Sequence, residues 1–473
     1  MVMGAKLTID GLEVASTWNG SDLVALDGLR IKWGRDDPYD DTEPGTLSAS
    51  IIDPTGQWSS DQNLAGRTIE VARTSGTAAV VMFRGKITRA TLTRRKLSNP
   101  ATGTRQPVWV VNLSAGDTLA SAAATVLSGE MGDGSVEGLG GWGEQSPGTR
   151  LANAMARGGS AVFTDRDPIV YDVLGNGTVH RWMHGTPASE QWTLLDLLAQ
   201  AYKLSPLGVV GYDPDTGVAK LCSFAAASNV VLVYTNQTVT LQLPSGRVVD
   251  AAKVALPDDA TVETTAAEAI DTVQLSYYWY GKDPNVSGGS AKRVTYTNPF
   301  IQRTTAHGLE SGTNRVLKVD TWAMYLDPSE YAAGAVDSRN RFIGWLADQV
   351  TSIVNSLNGQ LRMPSVRFDD KRLPLDAAAT DAIYRPLQST TPLYFAGSVF
   401  NVLENAGPQY QIIGGTLTYN RGWSHDVNVC AARSLTPPDL TIAQLFGSTS
   451  AAQIGQFDSA IRLGDLATIT QGL

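Results

Sequence analysis

Four histidines limit where imidazole chemistry can occur in this chain. His180 and His184 stand four apart in His180-Arg-Trp-Met-His184, a spacing that on a helix turns both rings to one side, as metal-binding helices do. The position after the first histidine, where a general-base glutamate would stand, is Arg181, and no third ligand accompanies the pair. These residues therefore read as surface or subunit-contact side chains, and no metal is expected. His425 shares an alternating face with Trp423, Val427 and Val429, the setting of a half-buried structural histidine; His307 lies in a polar stretch. Gly138-Leu-Gly-Gly-Trp-Gly143 spells GxGxxG. That fingerprint needs a strand before it and a helix opening inside it, whereas here glycines flank it on both sides. No P-loop, GxSxG or HExxH motif occurs, so no catalytic set and no cofactor are expected. Whether distant Asp and Glu side chains pair for glycoside hydrolysis depends on geometry that spacing does not give.

Charge is more informative. Asp36, Asp37, Asp40, Asp41 and Glu43 cluster without the calcium-loop spacing, and read as a solvated loop between two strands, stiffened by Pro38 and Pro44. Between Glu70 and Asp117 there is no acidic residue, while Arg73, Arg84, Lys86, Arg89, Arg94, Arg95, Lys96 and Arg105 supply eight cations in a chain of net charge −9. One reading is edge protection, with Lys and Arg discouraging strand-to-strand aggregation. The other is a docking face for an acidic partner, such as another copy of the chain or a neighbouring ring, with Arg84, Lys86, Arg89, Arg94, Arg95, Lys96 and Arg105 as interface candidates. On the second reading, changing Arg94, Arg95 and Lys96 to Ser weakens assembly and leaves the subunit folded.

The elements that must hold these residues are mostly strands. The chain has 473 residues, 46 glycines, 22 prolines and only 18% charged residues, a turn-rich profile that suits a β protein of about three domains. Its acidic balance gives no overall reason to wrap nucleic acid. Cys222 and Cys430 are too few for a disulfide framework and read as small buried residues of a chain folded in a reducing cytosol. The first ten residues lack the apolar core of a signal peptide and no run reaches the ~20 residues of a membrane span, so neither secretory export nor membrane insertion is expected.

Residues 1–116 alternate in short runs, including Leu29–Trp33, Leu47–Ile51, Thr68–Ala72, Val80–Phe83, Ile87–Leu92 and Val108–Leu113, the pattern of a small barrel or sandwich. Asp53-Pro-Thr-Gly56 carries the residue set of a type I turn and marks a strand end. Residues 117–265 change character. Asp117 is placed to cap a helix over Thr118–Leu127, a glycine-rich surface loop follows at 129–148, and Thr193-Leu-Leu-Asp196 is a capping box for a second helix with Leu194, Leu195, Leu198, Ala201 and Tyr202 on one face. A hairpin then turns at Asp213-Pro-Asp-Thr-Gly217. In residues 266–435 strand patterning returns at Val273–Tyr280 and Arg315–Met324, a helix is expected at 338–357, and two last strands meet at Asn420-Arg-Gly422. Residues 436–473 read as an extended arm. The expected fold is mainly β with a small α+β insertion.

The order of these parts resembles a known family. Ile31-Lys-Trp-Gly-Arg35, an acidic loop, Leu47-Ser-Ala-Ser-Ile-Ile-Asp-Pro-Thr-Gly56, Ile69-Glu-Val and Phe83-Arg-Gly-Lys-Ile87 look like the opening of minor tail proteins of actinobacterial siphophages. The continuation through Asp117-Thr-Leu, the capped helix and the hairpin is similar to the central hub of phage tail tips and baseplates, and Gly415–Val429 resembles the closing strand pair of that family's second barrel. The resemblance implies two tube-type β-barrels around an α+β insertion, and a homotrimeric ring whose six barrels match a sixfold ring above to a threefold tip below. It further implies a virion protein at the distal tip of the tail, made and assembled in the host cytoplasm. Its implied partners are the distal tail protein, the tape-measure protein and tip or fibre proteins, with DNA only passing through. A hexameric distal tail ring, a cell-wall or carbohydrate-cleaving enzyme, and a carbohydrate-binding module with Tyr277–Tyr280 as its aromatic platform are the alternatives.

Overall fold

The computed structural model describes residues 4–14, 25–36, 43–60, 63–75, 78–99, 102–129, 141–143, 145, 147–157, 163–166, 182–186, 191–204, 208–223, 232–234, 240–242, 248–250, 272–281, 290–299, 316–326, 365–369, 392–395 and 410–431. In chain order the first unit holds β1 (Gly4–Ile9), β2 (Leu12–Val14), β3 (Ala25–Gly34), β4 (Thr46–Asp53), β5 (Thr68–Ser75), β6 (Ala78–Ser98) and β7 (Arg105–Asp117). There follow α1 (Thr118–Ala124), α2 (Pro147–Ala156), β8 (Phe163–Arg166), β9 (Trp182–Met183), α3 (Leu194–Leu204), β10 (Gly208–Asp213) and β11 (Val218–Ser223). Next come β12 (Leu232–Tyr234), β13 (Thr240–Gln242), β14 (Val248–Asp250), β15 (Thr272–Gly281), β16 (Ser290–Pro299) and β17 (Val316–Leu326). The last described strands are β18 (Ser365–Asp369), β19 (Pro392–Phe395), β20 (Tyr410–Tyr419) and β21 (Trp423–Ala431). The fold is mainly β, as expected. The helix expected at 338–357, the arm at 436–473, His180 and His307 lie outside the described residues.

One sheet dominates, in the order β12-β19-β20-β3-β4-β7-β6-β5-β1-β2, with β21 bridging β20 and β18. Local chemistry sets its turns. Asp10 and Gly11 both take positive φ between the paired Ile9 and Leu12, the two-residue Asp-Gly turn that tightly links antiparallel strands. Asp53 ends β4 as its turn signal predicts and does more than start a turn. One carboxylate oxygen accepts from Gly56 N, Gln57 N and Thr55 Oγ1, the other from Trp58 N at 2.8 Å and Ser59 N at 2.9 Å. A fully buried carboxylate so surrounded fixes the loop that carries the buried Trp58 into the core.

The β-rich ends of the chain meet in this sheet. Gly414–Tyr419 of β20 pair antiparallel with Leu29–Gly34 of β3. Phe368, Leu417, Trp423 and Val427 share one core with Leu7, Ile31, Ile51, Val71, Phe83 and Val111. Trp423 Nε1 donates to the carbonyl of Gly4 at 2.9 Å, so β21 reaches back to the first strand. His425, expected to be half-buried, is fully buried and accepts from Trp33 Nε1 at 3.0 Å. The tryptophan donor holds the imidazole as a neutral acceptor at Nε2.

Three smaller sheets, β10-β11-β8, β13-β14 and β16-β15-β17-β9, account for the remaining described strands. The 213–217 hairpin turns where expected, with Gly217 at positive φ. Helix α3 opens on the expected capping box, in which Asp196 accepts from Thr193 N and Thr193 Oγ1 accepts from Asp196 N. Among residues 194–200, Leu194, Leu197, Leu198 and Ala199 are buried and Leu195 is half-buried; the side chains of Ala201 and Tyr202, expected on the same face, lie outside those described. The helix expected over Thr118–Leu127 ends at Ala124, because Val126 leaves it to bridge Thr193. Within the glycine-rich run expected to be a surface loop, Trp142 is buried and pairs with Thr186; the tryptophan's apolar bulk outweighs its glycine neighbours.

Candidate interaction surface

The basic segment is a single long hairpin. β6 has 21 residues and β7 has 13, and they pair from Gly85–Asp117 to Ser98–Arg105. Support on either side stops early. β4 accompanies β7 only as far as the Asp53–Trp109 pair, and β5 accompanies β6 only over Ala78–Lys86. Among the described residues, 95–98 and 105–108 therefore pair only with each other and form the hairpin's projecting end.

The interface candidates separate by environment. Arg84 is half-buried and engaged within the chain: its guanidinium bonds Glu70 at 2.8 Å and the carbonyl of Asp215. Lys86, Arg89, Arg94, Arg95, Lys96 and Arg105 are exposed. Arg73, outside the candidate set, is buried. Cross-strand register puts Arg94 opposite Trp109 and Lys96 opposite Pro107, on the same face as the Leu92–Val111 pair. Leu92 and Trp109 are 41% and 36% exposed, so this face presents apolar bulk framed by cations. Period-two reading puts Trp109 on the side of the buried Val111 and Leu113. It is uncovered because β4 ends opposite it, a fact of sheet layout and not of local pattern.

Of the acidic residues at 36–43, only Asp36 and Glu43 lie among the described residues, near the end of β4 where Thr46 pairs with Gly116. Lys32 bonds Asp36 at 3.0 Å and Glu43 at 3.2 Å; hydrogen bonding to Asp36 raises the Lys32 pKa, burial partly opposes this, and Glu43 adds to the rise. Asn428 Nδ2 donates to Asp36 at 2.9 Å, tying Asp36 to β21.

Two junctions tie the elements that follow β7 to the sheets around them. At the first, Asp117 ends β7, caps α1 through Ala120 N and accepts from Gly45 N at 2.8 Å. Burial pushes its carboxyl up to about 7 against the downward pull of the Gly45, Ala120 and Leu119 amides. Thr118 Oγ1 donates to Gly217 O at 2.6 Å, and the Tyr212 hydroxyl donates to Arg84 O. Burial and the Asp117 charge push the Tyr212 phenol upward. The 208–223 hairpin is thereby docked on the large sheet.

The second junction is aromatic. Trp182–Met183 is a strand, so the helical geometry considered for the histidine pair does not apply. His184 stacks on Tyr278 at 4.0 Å between centroids, Tyr278 stacks on Trp322, and Trp192 meets Trp322 edge-on at 4.6 Å. Arg150, buried in α2, donates to Gly143 O and His184 O and lies 5.9 Å from the Trp192 ring centroid. Tyr278, considered as part of a sugar platform, thus stacks on the chain's own rings. Nothing in the sequence singled out Arg150 or α2, because one arginine amid small residues carries no periodic signal.

No family model matches the sequence, and no curated protein matches it. Among solved structures, a 43 kDa tail protein of prophage MuSo2 from Shewanella oneidensis aligns with TM-score 0.48 and 11% identity, over 91% of this chain and 98% of that one. A tail protein from Neisseria meningitidis aligns with TM-score 0.48 and 9% identity, over 91% and 97%. A type VI secretion component from E. coli aligns with TM-score 0.42 and 10% identity, over 91% and 77%.

Proposed function

We propose that the chain is a structural virion protein, the tail-tip hub of a long, non-contractile-tailed phage. It forms a homotrimeric ring that closes the tail channel and links the distal tail protein to the tip, near the end of the tape-measure protein and beside tip or fibre proteins. The role is mechanical and not enzymatic: the ring holds the channel until host contact opens it, and DNA only passes through. Residues 1–116 and 266–435 contribute the two barrels, with 117–265 inserted between them.

The observation that carries this reading is the pairing of Gly414–Tyr419 with Leu29–Gly34. A chain that supplies two units of one ring wall must set strands from its two β-rich stretches side by side, and here they are hydrogen-bonded neighbours. The order of sequence motifs that resembles the hub family supplies the rest.

Gold labelling of intact particles with an antibody against residues 436–473, imaged by electron microscopy, tests it. Label at the distal end of the tail is expected, with three copies per particle distinguishing the hub from a hexameric ring. Unlabelled tails, with the epitope shown to be accessible, would overturn the proposal in favour of the enzyme or carbohydrate-binding alternatives.

A further inference from the structure

We propose that α1 and the β10–β11 hairpin form a proton-operated latch on the large sheet, closed while Asp117 carries a proton and loosened when that proton leaves. Asp117 stands at a crossover. It ends β7 opposite Gly85 of β6, and its carboxylate accepts from Gly45 N ahead of β4 and from Ala120 N in the first turn of α1. The residue is only 4% exposed, and among the described residues no cation bonds it. Ionised there, the carboxylate is a buried charge held by amides alone, with no counter-ion, the arrangement a low-dielectric interior tolerates least. Protonation removes that charge; opening the junction to water hydrates it.

The contacts around Asp117 determine what opens. α1 packs against β6, β7 and β11, so helix and hairpin stand on the sheet at the residue where the charge forms. Three bonds hold the hairpin there. Thr118 Oγ1, next in the chain to Asp117, donates to Gly217 O; the Tyr212 hydroxyl donates to Arg84 O; and Arg84 Nη1 donates to Asp215 O. The hairpin's other neighbours, β8 and α3, are not strands of the large sheet. An element held to a sheet by a few bonds at one spot opens before the sheet beneath it does.

The charged groups on the surrounding elements are already engaged or exposed. α1 carries none. Arg84 is held by Glu70, and Lys32 by Asp36 and Glu43; Lys86 and Asp215 are exposed, and Asp213 accepts from Asp215 N within its own turn. Tyr212 stays neutral where Asp117 titrates, because burial and the Asp117 charge both push its phenol upward.

Hydrogen exchange with mass spectrometry on the full chain at about pH 6 and about pH 8, corrected for intrinsic exchange rates, tests this. Opening of residues 118–124 and 208–223 is expected to rise about tenfold at the higher pH, the factor that linkage gives for a carboxyl titrating at about 7 when closed and 3.8 when open. Amides of 108–113 in β7 should stay protected over the same interval. In Asp117→Asn the pH difference should vanish from both segments. Thr118→Val with Tyr212→Phe keeps Asp117 and removes two of the hairpin's bonds, so 208–223 should open about tenfold more than in the wild type at the lower pH. Four results overturn the proposal: equal opening at the two pH values, a pH difference that survives Asp117→Asn, β7 amides exchanging in step with the latch, or a Thr118 and Tyr212 variant whose hairpin exchanges like the wild type's.

Discussion

At the scale of single residues, the most consequential side chain is Asp117. It ends a strand, caps a helix and holds Gly45, where a Cβ would approach its carboxylate oxygen to 2.5 Å. Its folded pKa of about 7 lies above the ordinary 3.8, so the native chain holds a proton that the unfolded chain releases. Its contribution therefore favours the fold fully below pH 3.8 and is lost as pH rises through about 7. The Tyr212 phenol, pushed upward by burial and by the Asp117 charge, stays neutral across this window. The urea midpoint of the wild type is expected to fall between pH 5 and pH 8 by more than that of Asp117→Asn. The variant has a lower midpoint at pH 5, because its amide cannot accept from both Gly45 and Ala120. Equal slopes for the two proteins would show that Asp117 is not the titrating group.

At the scale of elements, β20 fits between β3 and β21 because two glycines let it. A Cβ at Gly414 would lie 2.5 Å from Arg35 N, and one at Gly415 would lie 2.3 Å from Asp426 O and 3.0 Å from His425 Nε2. Gly415→Ala is expected to destabilise this crossing by about 2–4 kcal/mol and to speed amide exchange in residues 29–34 and 410–431 while sparing α3, as hydrogen exchange with mass spectrometry would show. Much of the element order was legible beforehand. Alternation marked the strands, Asp53-Pro-Thr-Gly and Asp213-Pro-Asp-Thr-Gly marked turns, and Thr193 to Asp196 marked a helix start, because each signal resides within a few neighbouring residues. The pairing of β20 with β3 was not legible, since partners nearly 400 residues apart leave no local trace. Of the interaction surface, the sequence showed the cations but neither the capture of Arg84 by Glu70 and Asp215 nor the exposure of Trp109, both of which depend on which strands run alongside.

At the scale of the whole molecule, strands from both ends of the chain share a core, so they should stand or fall together. Ending the chain at residue 409 removes β20 and β21, and with them Leu417, Trp423 and Val427 from the core. That truncation is expected to abolish the cooperative thermal transition of the large sheet and to expose apolar surface that binds a fluorescent hydrophobic dye; an unchanged melt would show that the first seven strands suffice. The bonds from Trp33 to His425 and from Trp423 to Gly4 span 392 and 419 residues. At roughly 5–20 residues per second, the ribosome delivers their second partners some tens of seconds after the first. Throughout that interval the nascent chain carries an unfinished wall with an open strand edge, a substrate for holding chaperones. Only a chain translated past Trp423 and His425 can close it, so products that terminate before them are excluded from the folded pool without any separate inspection step.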